Sequence, residues 1–207
     1  MTLSELKTII QNYVENDETT FVNTLNDMIQ IAETRIFELV QFDYFRKNVT
    51  GNLTTGNTYL TAPSDFQMSF SLAIIDSNND YHYLDKKHTS FMREYSNDAV
   101  ATSERGRPLY YADFDKELST GSDNGSTLIV SPVPDADYNV ELHYLYEPAS
   151  LTSSTSGTWM SDNAKNALIY GTLVEAYTFM KGEADLMTLY ENRFNQEIAR
   201  LKNLAEA

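Results

Sequence analysis

The chain has 207 residues, 42% of them hydrophobic and none of them cysteine. That is enough apolar material for one domain, or one domain with a sizeable insertion, and it leaves no disulfide or thiolate metal site to hold the fold. Thirty acids against 15 bases give a formal charge of −15, which excludes a protein that grips a nucleic-acid backbone, because neutralising phosphates takes clustered Lys and Arg. The N-terminal stretch has no basic segment and no long apolar run. Neither a signal peptide nor a membrane span is expected, and a cysteine-free chain suits a reducing cytoplasm.

The chain opens in helical grammar. Thr2-Leu-Ser-Glu5 fits a capping box, and Leu3, Leu6, Ile9, Ile10 and Tyr13 follow on one face, predicting a short helix to about Val14. After the polar turn ENDETT, apolar residues recur at Phe21, Leu25, Met28, Ile29, Ala32, Ile36, Leu39 and Val40. This spacing predicts an amphipathic helix from about Thr20 to Tyr44, roughly 37 Å long at about 1.5 Å per residue. A helix of that length needs a long partner to cover its stripe.

From NVTGNLTTGNTYL onward the pattern changes to Gly, Asn, Thr and short apolar runs, the mark of turns and strands. Strands are predicted at Asn57–Leu60, Met68–Ile75, Tyr81–Leu84, Leu109–Ala112, Thr127–Val130 and Tyr138–Tyr146. A short helix is predicted between Lys86 and Pro108, and TGSDNG reads as a hairpin loop. The last two strands, in LIVSPVPDADYNVELHYLYEP, read as a hairpin. Its Tyr138, Val140, Leu142, Tyr144 and Tyr146 share one inward face at strict alternation, and Pro132 and Pro134 shape the connection. Tyrosines in that density suit an interface or a saccharide platform as well as a core.

Beyond a Ser/Thr/Gly linker the chain returns to helix. Ser161 or Asp162 can cap a helix to about Met180, Lys181-Gly182 reads as a break with the glycine supplying positive φ, and a last helix follows to about Leu204. The stretch ALIYGTLVEAYTFM is apolar on more than one face, as expected of a helix sandwiched between neighbours, whereas the last helix has a narrower stripe at Met187, Tyr190, Phe194, Ile198 and Leu201. The predicted fold class is α+β. Residues 1–47 and 160–207 form an antiparallel helical bundle, and residues 48–159 form an inserted antiparallel β domain with its linker.

Residues that carry chemistry are scarce. The three histidines, His82, His88 and His143, have no metal-ligand spacing, and DSNNDYHYLD lacks the glycine and terminal glutamate of a calcium loop, so it reads as a surface turn. Nucleophile elbows, phosphate-binding loops and dinucleotide fingerprints are missing, so no catalytic, cofactor-binding or metal residue is assigned and no cofactor is expected. Glu175 stands out as the only charge between Lys165 and Lys181. An isolated carboxylate there needs a partner, and Arg35, mid-helix in an equally apolar context, is the best candidate.

The order of features resembles a known family. N-terminal helices, YLTAPSDF (Tyr59–Phe66), GRPLYY (Gly106–Tyr111), LIVSPVPDADYNVELHYLY, a Ser/Thr linker and a terminal helical pair are similar to the adaptor, or head-tail connector, proteins of tailed bacteriophages. The resemblance implies a non-enzymatic structural protein of the virion neck. In such families a homo-oligomeric ring, a dodecamer, sits beneath the portal protein and joins the head to tail or nozzle proteins, and double-stranded DNA passes through its channel during ejection without specific binding. The terminal helices are typically used against the portal and the β-rich part against the tail. An alternative from another class is a saccharide- or tail-fibre-binding β module whose platform is the tyrosines of the β region, among them Tyr81, Tyr83, Tyr95, Tyr110, Tyr111, Tyr138, Tyr144 and Tyr146. An unrecognised hydrolase would need convergent carboxylates in a pocket.

Overall fold

A computed structural model describes residues 1–40, 45–95, 102–115 and 126–205. The fold is mixed α+β, and the chain divides into two compact units, Met1–Tyr44 with Pro148–Ala207, and Phe45–Glu147. The predicted TGSDNG loop and the predicted end of the second helix at Tyr44 lie outside the described residues.

In the first unit, α1 (Leu3–Val14) starts from the predicted capping box. The Thr2 hydroxyl accepts from the Glu5 amide at 3.3 Å, and the Glu5 carboxylate accepts from the Thr2 amide at 2.8 Å. α2 spans Thr19–Leu39 and ends as Val40 turns extended. Its stripe from Phe21 to Ile36 is buried, while Leu39 is exposed. The next helical segment is two helices rather than one. α4 (Trp159–Asn163) is capped by Thr158, whose hydroxyl accepts from the Ser161 amide and whose amide donates to Ser161 Oγ, so Ser161 and Asp162 lie inside it, and Ala164 breaks the run before α5 (Lys165–Met180).

α5 packs against α1, α2, α4 and the last helix, α6 (Ala184–Ala205). It ends with Lys181 itself in the left-handed region at φ 53°. Gly182 is needed for space instead: a Cβ there would come 2.5 Å from Tyr177 Cδ1. α6 buries Tyr190, Phe194, Ile198 and Leu201, four of the five predicted stripe residues.

The second unit holds two four-stranded sheets. The first has the order β1 (Arg46–Leu53), β8 (Tyr138–Tyr146), β3 (Phe66–Ile75), β4 (Tyr81–Tyr83). The other has the order β2 (Tyr59–Thr61), β7 (Thr127–Ser131), β6 (Tyr110–Asp115), β5 (Asp85–Lys86). All pairs are antiparallel except β5 with β6. The inner faces share one core that includes Leu53, Leu72, Tyr111, Leu128, Val140 and Tyr144. α3 (Thr89–Tyr95), the predicted short helix, covers the outer face of the second sheet, with Met92 against Ala112 and Ile129.

The strands β7 and β8 are not a hairpin, because they lie in different sheets. The link between them crosses the core edge, and its carbonyls are taken by other loops. The Gly106 amide donates to Val133 O and the Gly56 amide to Pro134 O, each at 2.9 Å, while Pro132 and Pro134 have no amide with which to close a ladder. Sequence pattern missed β1 as a strand for a simple reason: it is a polar edge with only Leu53 buried, yet it pairs residue for residue with β8.

At Gly171 both α2 and α6 come close to α5. A Cβ there would sit 3.1 Å from both Ala32 Cβ and Phe194 Cε2. Gly171→Leu is therefore expected to overpack the contact and cost about 1–3 kcal/mol. A thermal melt should show it as a fall of roughly 3–10 °C. An unchanged melting temperature would mean that α2 and α6 do not close on α5 at that residue.

Candidate functional site

Two polar nodes tie the helices of the first unit together. On α2, Arg35 reaches Glu175 of α5 at 3.4 Å through Nη1 and Glu191 of α6 at 2.9 Å through Nη2. Its guanidinium also lies 4.7 Å from the centre of the Phe194 ring. Arg35 and Glu175 thus come together, but at the rim of the helices rather than in a dry core: their side chains are 30% and 24% exposed. Exposed ion pairs contribute little, about 0–1 kcal/mol each, so the forked guanidinium acts mainly by fixing three helices in register. Glu191 was legible in principle, since it stands three residues before Phe194 on the stripe side of the last helix.

Among the described residues the buried carboxylate is Glu33, 7% exposed on α2. It accepts from Ser150 Oγ at 2.6 Å and from the Leu151 amide at 2.8 Å, and so holds the short 3-10 turn Leu151–Ser153 where the chain rejoins the helices. Gln30 supports the same turn through Thr152 Oγ1 at 2.8 Å. Burial raises the Glu33 pKa, and the two hydrogen bonds oppose that shift without cancelling it. No local sequence signal marked Glu33, because it sits in an ordinary amphipathic stretch and its partners are more than a hundred residues away.

In the second unit, the predicted inward face of β8 is inward. Val140, Leu142 and Tyr144 are buried, with Tyr138 and Tyr146 packed at its ends. Tyr144 stacks on Phe66 and its hydroxyl donates to Asp65 at 2.9 Å. Asp65 also accepts from Lys47 Nζ at 2.7 Å, and that ammonium lies 3.8 Å from the Tyr146 ring centre. The Tyr138 hydroxyl donates to Asp135 at 2.7 Å. Burial, reinforced by these carboxylates, pushes the hydroxyls of Tyr138 and Tyr144 up to about 12. Both therefore stay neutral donors at any ordinary pH. With its ring inside the sandwich, Tyr144 presents no face on which a sugar could stack.

Several further polar groups bond one another. Lys86 Nζ donates to Asp113 at 2.7 Å and to Ser69 Oγ at 2.8 Å, and Ser69 Oγ donates to Asp113 at 2.6 Å. DSNNDYHYLD forms the β3–β4 turn, where Asp76 accepts from the amides of Asn78 and Asp80 and pairs with His82, which lowers its pKa. His88 binds Ser90, and His143 lies against Phe70, so the three histidines stand apart. Among the described residues no helix is long and apolar enough to cross a membrane.

These are the features of a scaffold whose polar groups hold elements in place. The family model of the SU10 adaptor protein matches residues 1–207. The chain belongs to the SU10 adaptor protein family. The resemblance noted from the ordered motifs is thereby confirmed, and with it a phage structural adaptor protein, a component of the virion. No curated protein matches the chain. Within this adaptor, Arg35 and Glu33 link elements of the first unit and the β8 tyrosines pack into the second.

Two measurements check the nodes. Arg35→Ala should lower stability by about 1–2 kcal/mol, from the lost ion pairs and the lost cation–aromatic contact, in a denaturant titration. Arg35→Lys should recover only part of it. For Glu33, the folded pKa lies above the unfolded value, so the folded state holds the proton longer and stability falls as pH rises from about 4.5 through the raised folded pKa. Glu33→Gln should flatten that part of the stability profile relative to the parent chain. Parallel profiles would show that Glu33 titrates normally.

Proposed function

We propose that the chain is a head-tail connector of a tailed phage: copies assemble as a ring in the neck of the virion, between the portal protein and the tail or nozzle proteins, around the channel through which DNA leaves the head. The single observation that carries this reading is the adaptor-family match along residues 1–207. We assign the helices of residues 1–47 and 160–207 to an antiparallel bundle that docks on the portal, and residues 48–159 to the module that meets the tail. Glu175, Arg35, Tyr138, Tyr144 and Tyr146 serve this role as scaffold residues beside the contacts. The protein acts without catalysis and without a cofactor, and is made in the host cytoplasm before incorporation.

Charge supports the reading. A ring of subunits each carrying −15 presents a repulsive wall to phosphates, so DNA can slide past without sticking.

Mixing the chain with the portal of the same phage and recording native mass spectra or negative-stain images should show rings of this chain on the portal. A chain that forms rings neither alone nor with an intact portal overturns the proposal. In a filter-binding assay at physiological ionic strength, linear duplex DNA should not be retained by the free chain. Retention that weakens steeply with added salt would contradict the repulsive channel.

A further inference from the structure

The contact between neighbouring copies in such a ring has to come from surface that the fold leaves open. α5 is apolar all round, but it spends that surface within the chain: from Ala167 to Tyr177 every residue is buried or half-buried. The β unit behaves differently. Most of its exposed large apolar side chains sort onto two surfaces.

On the outer face of the first sheet lie Met68, Phe70, Tyr81 and Tyr83, from 37% to 68% exposed. Strand register places them there. Met68 pairs with Leu145, Tyr83 with Ala73 and Tyr81 with Ile75, all opposite in sense to the inward Leu142 and Val140. The Phe70 ring sits 5.3 Å from His143 and carries the Arg46 guanidinium at 4.5 Å. On the outer side of the second sheet, beside α3, lie Tyr59, Tyr95 and Phe114, from 38% to 48% exposed. The rings of Tyr59 and Phe114 are 5.6 Å apart, and Arg93 of α3 donates to the Tyr59 hydroxyl at 2.7 Å. Because the two sheets share one core, these surfaces lie on opposite sides of the same sandwich.

Two further facts select the occupant. Copies of a chain with charge −15 repel one another, so they can meet only where the acid excess is absent. Both surfaces come closer to that condition than the chain as a whole. The strands bring Arg46 and Glu141 to the first, and on the second Arg93 and Lys87 lie over rings and offset most of the charge of the neighbouring Glu94, Asp85 and Asp115, with Lys87 paired to Asp85 at 3.7 Å. A closed ring also needs a heterologous contact, in which two different patches on opposite sides of one subunit meet the next copy in succession.

We propose that the outer face of the first sheet, centred on Met68 and Phe70, docks head to tail on the Tyr59–Phe114–Arg93 surface of a second copy of this chain. The inference rests on the connector reading and locates its subunit contact in the β unit rather than in the helices. Large flexible and aromatic side chains in a neutral setting are what such an interface takes for its centre, with the cations stacked on rings at its rim.

Because the chain has no cysteine, introduced thiols report on this contact alone. Phe70→Cys with Phe114→Cys in one chain, treated with a short bismaleimide while assembled on the portal, should give a ladder of covalent multimers on a denaturing gel, and each single variant only monomer. A dimer from Phe70→Cys alone means that the face meets its own copy across a two-fold axis and overturns the proposal. So do rings seen by native mass spectrometry that yield no ladder, an outcome that leaves the connector reading standing. Absence of rings from the parent chain on its portal overturns the connector reading itself. Met68→Asp with Phe70→Asp, two exposed positions whose change leaves the core intact, should abolish rings while the melting temperature stays that of the parent. Rings unchanged in that variant would also refute the contact.

Discussion

A helix without a polar face cannot lie against water, and α5 is such a helix. Ala167, Leu168, Ile169, Leu173, Val174 and Ala176 point in several directions, so burial on one side would leave the others wet. The solution is to surround it, with α1 and α2 from the beginning of the chain and α4 and α6 from the end. Gly171 lets α2 and α6 approach closely, and Arg35 joins α2, α5 and α6 at their rim. The requirement that chain ends meet around α5 makes the β region an excursion that leaves the helices and returns to them. The entropic cost of closing so long a loop grows only slowly with its length, and Glu33 anchors the returning segment through Ser150 and Leu151.

The β unit solves its own burial problem separately. Two sheets close over a shared core, and the crossing from β7 to β8 carries the chain from one sheet to the other. The glycine amides that donate to the carbonyls of this crossing come from loops distant in sequence, which locks the ends of the sandwich. Aromatic residues bury large area while their hydroxyls find carboxylates at the edge, as Tyr144 does with Asp65 and Tyr138 with Asp135. One outer face is covered by α3 and the other is left open. That asymmetry gives the unit two unlike sides.

Hydrogen bonds and ion pairs within each unit hold its elements in place. Lys86, Asp113 and Ser69 bond one another, and Asp76 is held by its own turn. Membership of the SU10 adaptor family gives these contacts their context. A net charge of −15 restricts which surfaces of such a protein can touch one another.

Local pattern was enough for the features that local physics governs. The capping box at Thr2, the stripes of α2 and α6, the bounds of β8 and its inward face follow from short-range hydrogen bonding and from the periods of helix and strand, and the ordered motifs pointed to the family. Other features are set by residues far apart in the chain. β1 is a strand because β8 offers it a ladder, not because its own residues alternate. β7 and β8 part because the amides of Gly56 and Gly106 take the carbonyls between them. Glu191 completes the Arg35 node, and Glu33 finds Ser150, only once the helices have packed. Sequence by itself determined which elements form, which faces they must bury and what charge the surface carries, because these depend on neighbours within a few residues. Tertiary structure alone decided which sheet each strand joins, which carboxylate is desolvated and which apolar side chains stay exposed, because those depend on what the rest of the chain leaves uncovered.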